Sequence, residues 1–212
     1  MTKSICSTNS DDKIHSLLNT YTLKKQKIET RLEEFKKTPK SNYFYELVFC
    51  LLTPQSNAKK CWEAIEQLKK LKKWNRTAIS DILKTKTRFH NNKTKYILEI
   101  HRNWKKIEGM LNNSNIIELR NLLTANIKGL GPKESSHFLR NIGKSDNKIA
   151  ILDRHILKNL KELNIIKETT IKSPSHYLKI EKEFIKLSKK LKIPLDELDL
   201  LLWSKENGKI FK

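Results

Sequence analysis

A glycine turn between two segments of helical periodicity constrains this chain more than any other feature. The segment Ile116–Leu123 has apolar residues at helical spacing, and Gly129-Leu130-Gly131 follows shortly after it. Pro132 suits the first turn of a second helix, where the missing N–H of proline costs nothing. The sequence therefore predicts two helices joined by a tight hairpin, a helix–hairpin–helix unit.

Such a turn can bind an anion. Gly129 and Gly131 lack side chains, so the backbone there can take unusual dihedral angles and approach another molecule closely. The amides of the turn and the N-terminus of the next helix suit a phosphate group. Since most glycine turns are simple connectors, this interpretation depends on the rest of the chain.

The remainder of the sequence predicts an all-α fold. Apolar residues recur at helical spacing along most of the chain, without a repeat, a heptad array or a series of strands. The most apolar run, Tyr43–Leu52, has enough β-propensity for a strand, but its neighbours are helical and no hairpin pattern follows. We predict a buried helix there and one continuous helix from Lys93 to about Met110.

Two breaks in the pattern predict two domains. Residues 38–42 form a polar, proline-containing break, and residues 144–148 form a polar linker. We predict a central helical domain over residues 42–143, which carries the helix–hairpin–helix. A second helical domain is predicted from the two ends of the chain, residues 1–41 and 144–212.

The charge balance favours a polyanionic partner. The 212 residues include 44 Lys and Arg against 23 Asp and Glu, a formal net charge of +21. Such an excess favours nucleic acid, which releases counterions when a cationic protein binds. An AT-rich coding sequence would also enrich lysine, so the charge alone does not identify the partner.

The cysteines and the hydropathy pattern predict a soluble, cytoplasmic protein. Cys6, Cys50 and Cys61 form neither a CxxC pair nor a four-cysteine cluster, so no iron–sulfur or zinc site is expected. A sparse, odd cysteine count is typical of reduced thiols. There is no apolar run of the length that spans a bilayer and no signal peptide, so no membrane partner is expected.

Lys133 and Asp153 are candidates for chemistry. Lys133 falls at the start of the second hairpin helix, where the positive helix end disfavours a charged amine. A neutral amine can attack a sugar carbon and form a Schiff base. Asp153 could stabilise charge on that sugar or transfer protons. The alternatives are a solvated surface lysine and an aspartate that only caps its helix.

Phe89 is the single aromatic residue in the polar segment Arg88-Phe89-His90-Asn91-Asn92. An exposed aromatic flanked by Arg and Asn suits insertion between bases or stacking on them. Phe89 could equally anchor the loop in the core, and the pattern leaves both interpretations open.

Two motifs in the right order carry a family resemblance. The hairpin sequence 127–133 (IKGLGPK) and the later segment 152–156 (LDRHI) resemble the helix–hairpin–helix and aspartate signature of the endonuclease III superfamily of DNA glycosylases. The segment 133–141 (KESSHFLRN) and the ending, with Trp203 shortly before a C-terminal Lys212, resemble the archaeal-type (type 2) 8-oxoguanine DNA glycosylase/AP lyases. Further matches at 51–55 (LLTPQ) and 88–93 (RFHNNK) extend the resemblance from about Tyr43 to the end.

The resemblance implies a bifunctional enzyme with two helical domains flanking a DNA-binding cleft. Lys133 would attack C1′ of the damaged nucleoside, and Asp153 would assist from the other side of the cleft. Three further roles are carried over from the family. Gly129 and Gly131 would grip the DNA backbone, and Gln55, Arg88 and Phe89 would contact the orphaned base. Trp203 and Lys212 would border the pocket for the flipped base.

The resemblance also implies the partners and the cofactor needs. The expected substrate is double-stranded DNA containing oxidised guanine, bound by a monomer at the nucleoid. No catalytic metal or cofactor is expected, although carbonyl groups of the hairpin could hold a structural monovalent cation.

Three alternative functions are open at this stage. An endonuclease III-like glycosylase would remove oxidised pyrimidines instead. A non-catalytic helix–hairpin–helix module would explain the charge and the hairpin, but not the pairing of Lys133 with Asp153. An RNA-binding protein is the weakest alternative, since the aromatic residues fall on core stripes rather than on a stacking platform.

Overall fold

The computed structural model describes residues 5–212. Within them the chain forms eleven α-helices, one short 3-10 turn (Lys40–Asn42) and no β-strand, which confirms the predicted all-α fold. In chain order the helices are α1 (Ile5–Lys36), α2 (Tyr43–Leu52), α3 (Ala58–Leu68), α4 (Arg76–Leu83), α5 (His90–Arg102), α6 (Trp104–Met110), α7 (Ile116–Asn126), α8 (Pro132–Asn141), α9 (Arg154–Glu162), α10 (Pro174–Leu191) and α11 (Leu195–Asn207).

The chain divides into two compact units. We call Thr38–Ile142 the hairpin unit, and the segment up to Lys37 together with Gly143–Lys212 the terminal unit. Among residues 5–212, no helix combines the length and the apolar character that crossing a membrane requires. Cys50 and Cys61 are buried thiols, and the side chain of Cys6 lies outside the described part of the structure.

The apolar helix α2 forms the centre of the hairpin unit. As predicted, Tyr43–Leu52 is a helix, and its residues from Leu47 to Leu52 are at most 2% exposed. It packs against α3, α5 and α8, so it is covered on several sides. A helix can be apolar around its whole circumference only when it is buried in this way.

The prediction of a single helix from Lys93 to about Met110 is wrong in two respects. The helix starts earlier, at His90, and it is interrupted between α5 and α6 at Asn103, which has φ −102° and ψ 14°. The Asn103 side-chain amide donates to the Glu99 carbonyl at 2.9 Å. The same carbonyl also accepts the backbone amide of Asn103 at 3.1 Å, so the side chain adds a bond at the end of α5 without replacing the helical one.

The central helix of the terminal unit is α11, which packs against α1, α9 and α10. Its Leu198 and Leu201 are fully buried, as are Ile28 of α1 and Phe184 of α10. Burial of each such side chain contributes about 1.5–3 kcal/mol to the free energy of folding. The helices start at the signals that the sequence contains, for example Ser173 capping α10 before Pro174.

Candidate lysine site and nucleic-acid interface

The structure contains the predicted helix–hairpin–helix, in which α7 and α8 are joined by residues 127–131. Ile127 and Leu130 are each 5% exposed and anchor the turn, and the Leu130 amide donates to the Ile127 carbonyl at 3.2 Å. Between these anchors Gly129 is exposed and has φ +85°. The buried leucine and isoleucine therefore fix a turn whose tip is free to approach another molecule.

Gly129 is required for two independent reasons. Its positive φ is a conformation that residues with a Cβ atom adopt at a cost. In addition, a Cβ placed on Gly129 would lie 2.6 Å from Cδ2 of Tyr96 and 3.2 Å from Cδ1 of Leu51. The hairpin therefore packs directly against α5 and α2 through its backbone.

Replacement of Gly129 by alanine is expected to destabilise the protein by about 1–3 kcal/mol, since it adds left-handed strain and a contact with the Tyr96 ring. Gly109 of α6 is the matched control, because a Cβ there meets no atom within 4 Å. Gly109→Ala should be neutral or stabilising, by up to about 1 kcal/mol. Urea unfolding of both variants measures the difference, and equal stabilities would contradict the packing argument.

Glu134 organises the start of α8. One of its carboxylate oxygens, Oε2, accepts the Gly131 amide at 3.1 Å, and the other, Oε1, lies 3.0 Å from Nζ of Lys133. The side chains of Lys133 and Glu134 are only 22% and 13% exposed. The carboxylate forms an ion pair with the amine, and it also provides a nearby proton acceptor.

Two buried titratable groups interact electrostatically with Lys133. Lys93 is 5% exposed, and burial, reinforced by the charge of Lys133, lowers its pKa to about 8. Cys61 is fully buried, and burial raises the pKa of its thiol to about 11 although both lysines act in the opposite direction. The buried surroundings of Lys93 and Cys61 therefore disfavour the charged form of both side chains.

These two groups predict a specific dependence of stability on pH. Folded Lys93 releases its proton near pH 8, while the unfolded chain keeps it up to about 10.5, so stability rises with pH from about 8, by at most about 1.4 kcal/mol per unit. From about pH 9 folded Cys61 keeps a proton that the unfolded chain loses, and this opposes the rise.

Urea unfolding across this pH range tests the prediction. In Cys61→Ala the free energy of unfolding should continue to rise beyond pH 9. In Lys93→Met this rise above pH 8 should be absent. A Lys93→Met protein with the same increase as the unsubstituted protein would contradict the assignment.

The candidate DNA-contacting residues lie on two neighbouring loops of the hairpin unit. Gln55 lies between α2 and α3, and Arg88 and Phe89 lie between α4 and α5. Gln55 and Phe89 have φ of 52° and 56°, a left-handed conformation that costs about 1–3 kcal/mol for such residues. The Phe89 ring is 54% exposed and the Arg88 guanidinium lies 5.5 Å from its centre. This excludes the interpretation of Phe89 as a core anchor.

Asp153 is the N-cap of α9, as its alternative interpretation predicted. Its Oδ1 accepts the amides of His155 and Ile156 at 2.8 and 2.9 Å. The segment before it is buried, and Ala150 donates to Glu181 at 2.8 Å and accepts from Tyr177 at 2.6 Å. One carboxylate oxygen of Asp153 is thus occupied by the helix cap. The buried segment before Asp153 fixes the position of this residue.

The remaining candidates lie at the end of the terminal unit. Trp203 of α11 contacts the ring of His155, with the ring centres 6.4 Å apart in an edge-to-face arrangement. The tail that ends in Lys212 is held against α1, because Arg31 Nε donates to the Phe211 carbonyl at 2.6 Å. The tail and α1 border a cavity of about 630 Å³ whose cationic lining residues are Lys24, Lys27, Arg31 and Lys209.

The structure therefore groups the candidates within each unit. The hairpin glycines adjoin Lys133 in the hairpin unit, and Asp153 is linked to Trp203 through His155 in the terminal unit. Sequence reasoning missed Glu134 and Lys93. Lys93 could have been noticed, because it lies four residues before Ile97 and seven before Ile100, on the apolar face of α5. Among residues 5–212, no group of three or more His, Cys, Asp or Glu side chains could hold a metal ion.

The family follows from comparison with known proteins. The family model described as 8-oxoguanine DNA glycosylase, with its helix–hairpin–helix, matches residues 28–193, more than three quarters of the chain. The chain belongs to this family. The resemblance drawn from the hairpin and the aspartate motif is thereby confirmed.

Relatives of known name and structure span almost the whole chain. An 8-oxoguanine DNA glycosylase/AP lyase of Fusobacterium nucleatum is 42% identical over 86% of this chain and 89% of its own length. The crystal structure of the Thermotoga maritima 8-oxoguanine DNA glycosylase has a TM-score of 0.86 at 28% identity, covering 96% of this chain and all of that one. The Methanocaldococcus jannaschii 8-oxoguanine glycosylase/lyase, solved with a 15mer DNA containing 8-oxoguanine, has a TM-score of 0.82 at 34% identity, covering 93% of this chain and all of that one.

Proposed function

We propose that this chain is a bifunctional DNA glycosylase/AP lyase of base excision repair that removes 8-oxoguanine and then cuts the strand. The proposal is supported by relatives that carry both activities in their names, one of them 42% identical. The observation that carries it is Lys133, an amine held at the start of the hairpin helix 3.0 Å from a carboxylate. A backbone grip, an amine and a proton acceptor are what base excision through a Schiff base requires.

Lys133 is the nucleophile in this proposal. Its amine, after giving a proton to Glu134 or to water, attacks C1′, and the bond from C1′ to the base nitrogen breaks with its electron pair leaving on the base. Loss of the second amine proton and opening of the sugar ring then yield the Schiff base. Removal of a C2′ proton expels the 3′ phosphate by β-elimination, and water releases Lys133.

Asp153 stabilises the positive charge that develops on the sugar as the base leaves. A carboxylate placed near such a charge lowers the barrier most when it is already oriented before the reaction. The hydrogen bonds from the His155 and Ile156 amides to Oδ1 supply that orientation. The capping role and the catalytic role of Asp153 are therefore compatible, since the other oxygen, Oδ2, can face the sugar.

The DNA contacts divide between the backbone and the bases. Gly129 and Gly131 bring the hairpin backbone to the phosphates, although the Gly131 amide already donates to Glu134. Gln55, Arg88 and Phe89 fill the gap left by the extruded nucleotide. Exposure of the Phe89 ring on a loop of fixed conformation supports that role.

Trp203 and Lys212 border the pocket for the flipped base in this proposal. An indole supplies a face on which a base can stack. The tether from Arg31 to the Phe211 carbonyl supports an ordered chain end, and an ordered end is what a base contact by Lys212 needs.

No catalytic cofactor is needed for this chemistry, because the nucleophile and the proton carriers are side chains. A structural monovalent cation at the hairpin is compatible with the turn. The Ile127 carbonyl accepts one amide at 3.2 Å and so retains a second lone pair for a cation. We propose further that the enzyme acts as a monomer in the cytoplasm, at the nucleoid.

Borohydride trapping across a panel of lesions tests the reaction type and the substrate together. The protein is incubated with duplexes that contain 8-oxoguanine, thymine glycol or an abasic site, with and without borohydride. We expect a covalent adduct and strand cleavage with 8-oxoguanine and with the abasic site. An adduct with thymine glycol but none with 8-oxoguanine would indicate an oxidised-pyrimidine enzyme, and binding without any adduct would indicate a non-catalytic module.

A further inference from the structure

Lys93 joins the two loops that carry the candidate DNA contacts. Its Nζ lies 2.8 and 3.0 Å from the carbonyl oxygens of Leu52 and Pro54, and 3.0 Å from Oγ of Ser56, in the loop that contains Gln55. On the other loop it lies 2.8 Å from Oγ1 of Thr87. One buried ammonium group therefore contacts both loops at once.

Ser56 adds a second link between the same loops. Its Oγ accepts from Lys93 and also accepts the backbone amide of Arg88, at 3.1 Å. The backbone amide of Lys93 donates to the Phe89 carbonyl at 3.0 Å, in the first turn of α5. Lys93 and Ser56 thus form hydrogen bonds next to both left-handed residues, Gln55 and Phe89.

The chemistry of the contacts suits a structural lysine rather than an ion pair. All four acceptors around Nζ are neutral oxygens, two of them main-chain carbonyls and two of them hydroxyls. An ammonium group has three N–H donors that point in different directions, so two of the four oxygens share one donor and the group can bridge separate chain segments. A buried charge is tolerated only when it is hydrogen-bonded in this way.

We propose that Lys93 is a positioning residue that fastens the Gln55 loop to the Phe89 loop and so holds both side chains ready to enter the DNA when a base is extruded. Left-handed conformations of residues other than glycine persist only where the surroundings enforce them, and the contacts of Lys93 and Ser56 supply that enforcement. A wedge ordered before binding loses less conformational entropy when it inserts. This inference rests on the proposed function, because it assumes that Gln55 and Phe89 contact DNA.

The proposal predicts a defect that depends on base pairing. Lys93→Met keeps an unbranched side chain only one atom shorter and removes the N–H donors. We expect its single-turnover rate to fall about tenfold or more on a duplex with 8-oxoguanine opposite cytosine, the size of effect that ordering a few side chains imposes. The rate should change by less than about twofold when the same lesion lies in a short bubble of mismatched pairs, where extrusion costs little.

Two further variants separate positioning from folding. Ser56→Ala keeps the buried lysine and removes one bridge, so it should show a smaller defect of the same kind. Lys95→Met removes an exposed lysine of α5 and serves as the control for charge. Combining Lys93→Met with Phe89→Ala should cost clearly less than the sum of the two single losses, because part of the effect of Lys93→Met acts through Phe89.

The outcomes are distinct. Equal losses on paired and mismatched substrates in Lys93→Met and Ser56→Ala would indicate general destabilisation and overturn the proposal, as would unchanged rates on both substrates. Additive effects of Lys93→Met and Phe89→Ala would also overturn it. Failure of the unsubstituted protein to cut either substrate would instead refute the proposed function, and this inference with it.

Discussion

Replacement of Lys133 by glutamine is expected to abolish borohydride trapping and to reduce strand cleavage by at least about 10³-fold, since loss of a covalent nucleophile removes the whole reaction path. Glutamine retains much of the length and hydrogen-bonding capacity of lysine but has no amine that can form a Schiff base. Glu134 should remain in place, because its other oxygen accepts the Gly131 amide. Gel analysis of trapped and cleaved DNA measures both effects.

Lys128 provides the matched control for charge. It lies on the same hairpin, its side chain is 71% exposed, and its Nζ lies 3.4 Å from Oε1 of Glu99. Lys128→Gln should weaken DNA binding in a salt-dependent manner and lower the salt slope by about 1, while trapping persists. A trapped adduct that survives in Lys133→Gln would show that another amine is the nucleophile.

Replacement of Asp153 by asparagine is expected to separate catalysis from helix capping. Asparagine caps helices about as well as aspartate, so the free energy of unfolding should change by less than about 0.5 kcal/mol. The single-turnover rate of base removal should fall by about 10²–10⁴-fold, the usual contribution of a positioned group that carries charge or protons in the transition state. Urea unfolding gives the free energy of unfolding, and quenched single-turnover assays on the same preparation give the rate of base removal.

Two other variants complete the test of Asp153. Asp153→Ala should lose the catalytic contribution and, in addition, about 1 kcal/mol of stability, because the cap is removed. Ser173→Ala removes a different cap in the terminal unit, that of α10, and should cost similar stability without loss of rate. Full activity in Asp153→Asn would show that this residue only caps its helix.

Local signals in the sequence predicted several elements well. Tyr43–Leu52 is buried as predicted, because ten consecutive residues of mainly apolar character are too hydrophobic for any exposed element, and it is helical like its neighbours. Pro132 and Pro174 each start a helix, because a fixed φ and a missing N–H are harmless only there. These predictions succeed since their causes lie within a few residues along the chain.

Other predictions were wrong, undecided or missing, in most cases because the causes are not local along the chain. The break at Asn103 is a local exception, since its side chain bonds a carbonyl four residues earlier and the apolar periodicity does not report such a bond. The exposure of Phe89 depends on the fold around its loop, so the sequence left two interpretations open. Lys93 counted as one more lysine among many, until its four oxygen contacts across two loops were visible.

The hairpin illustrates how the information divides. Gly129, Gly131 and Pro132 specify by themselves a turn followed by a helix, since those residues allow few other backbone conformations, and the motif with Lys133 and Asp153 was enough to indicate the family. Only the folded chain reveals that Glu134 pairs with Lys133 and that Tyr96 packs against the Gly129 backbone. Backbone preference is a property of a few neighbouring residues, whereas burial and ion pairing depend on which distant segments meet.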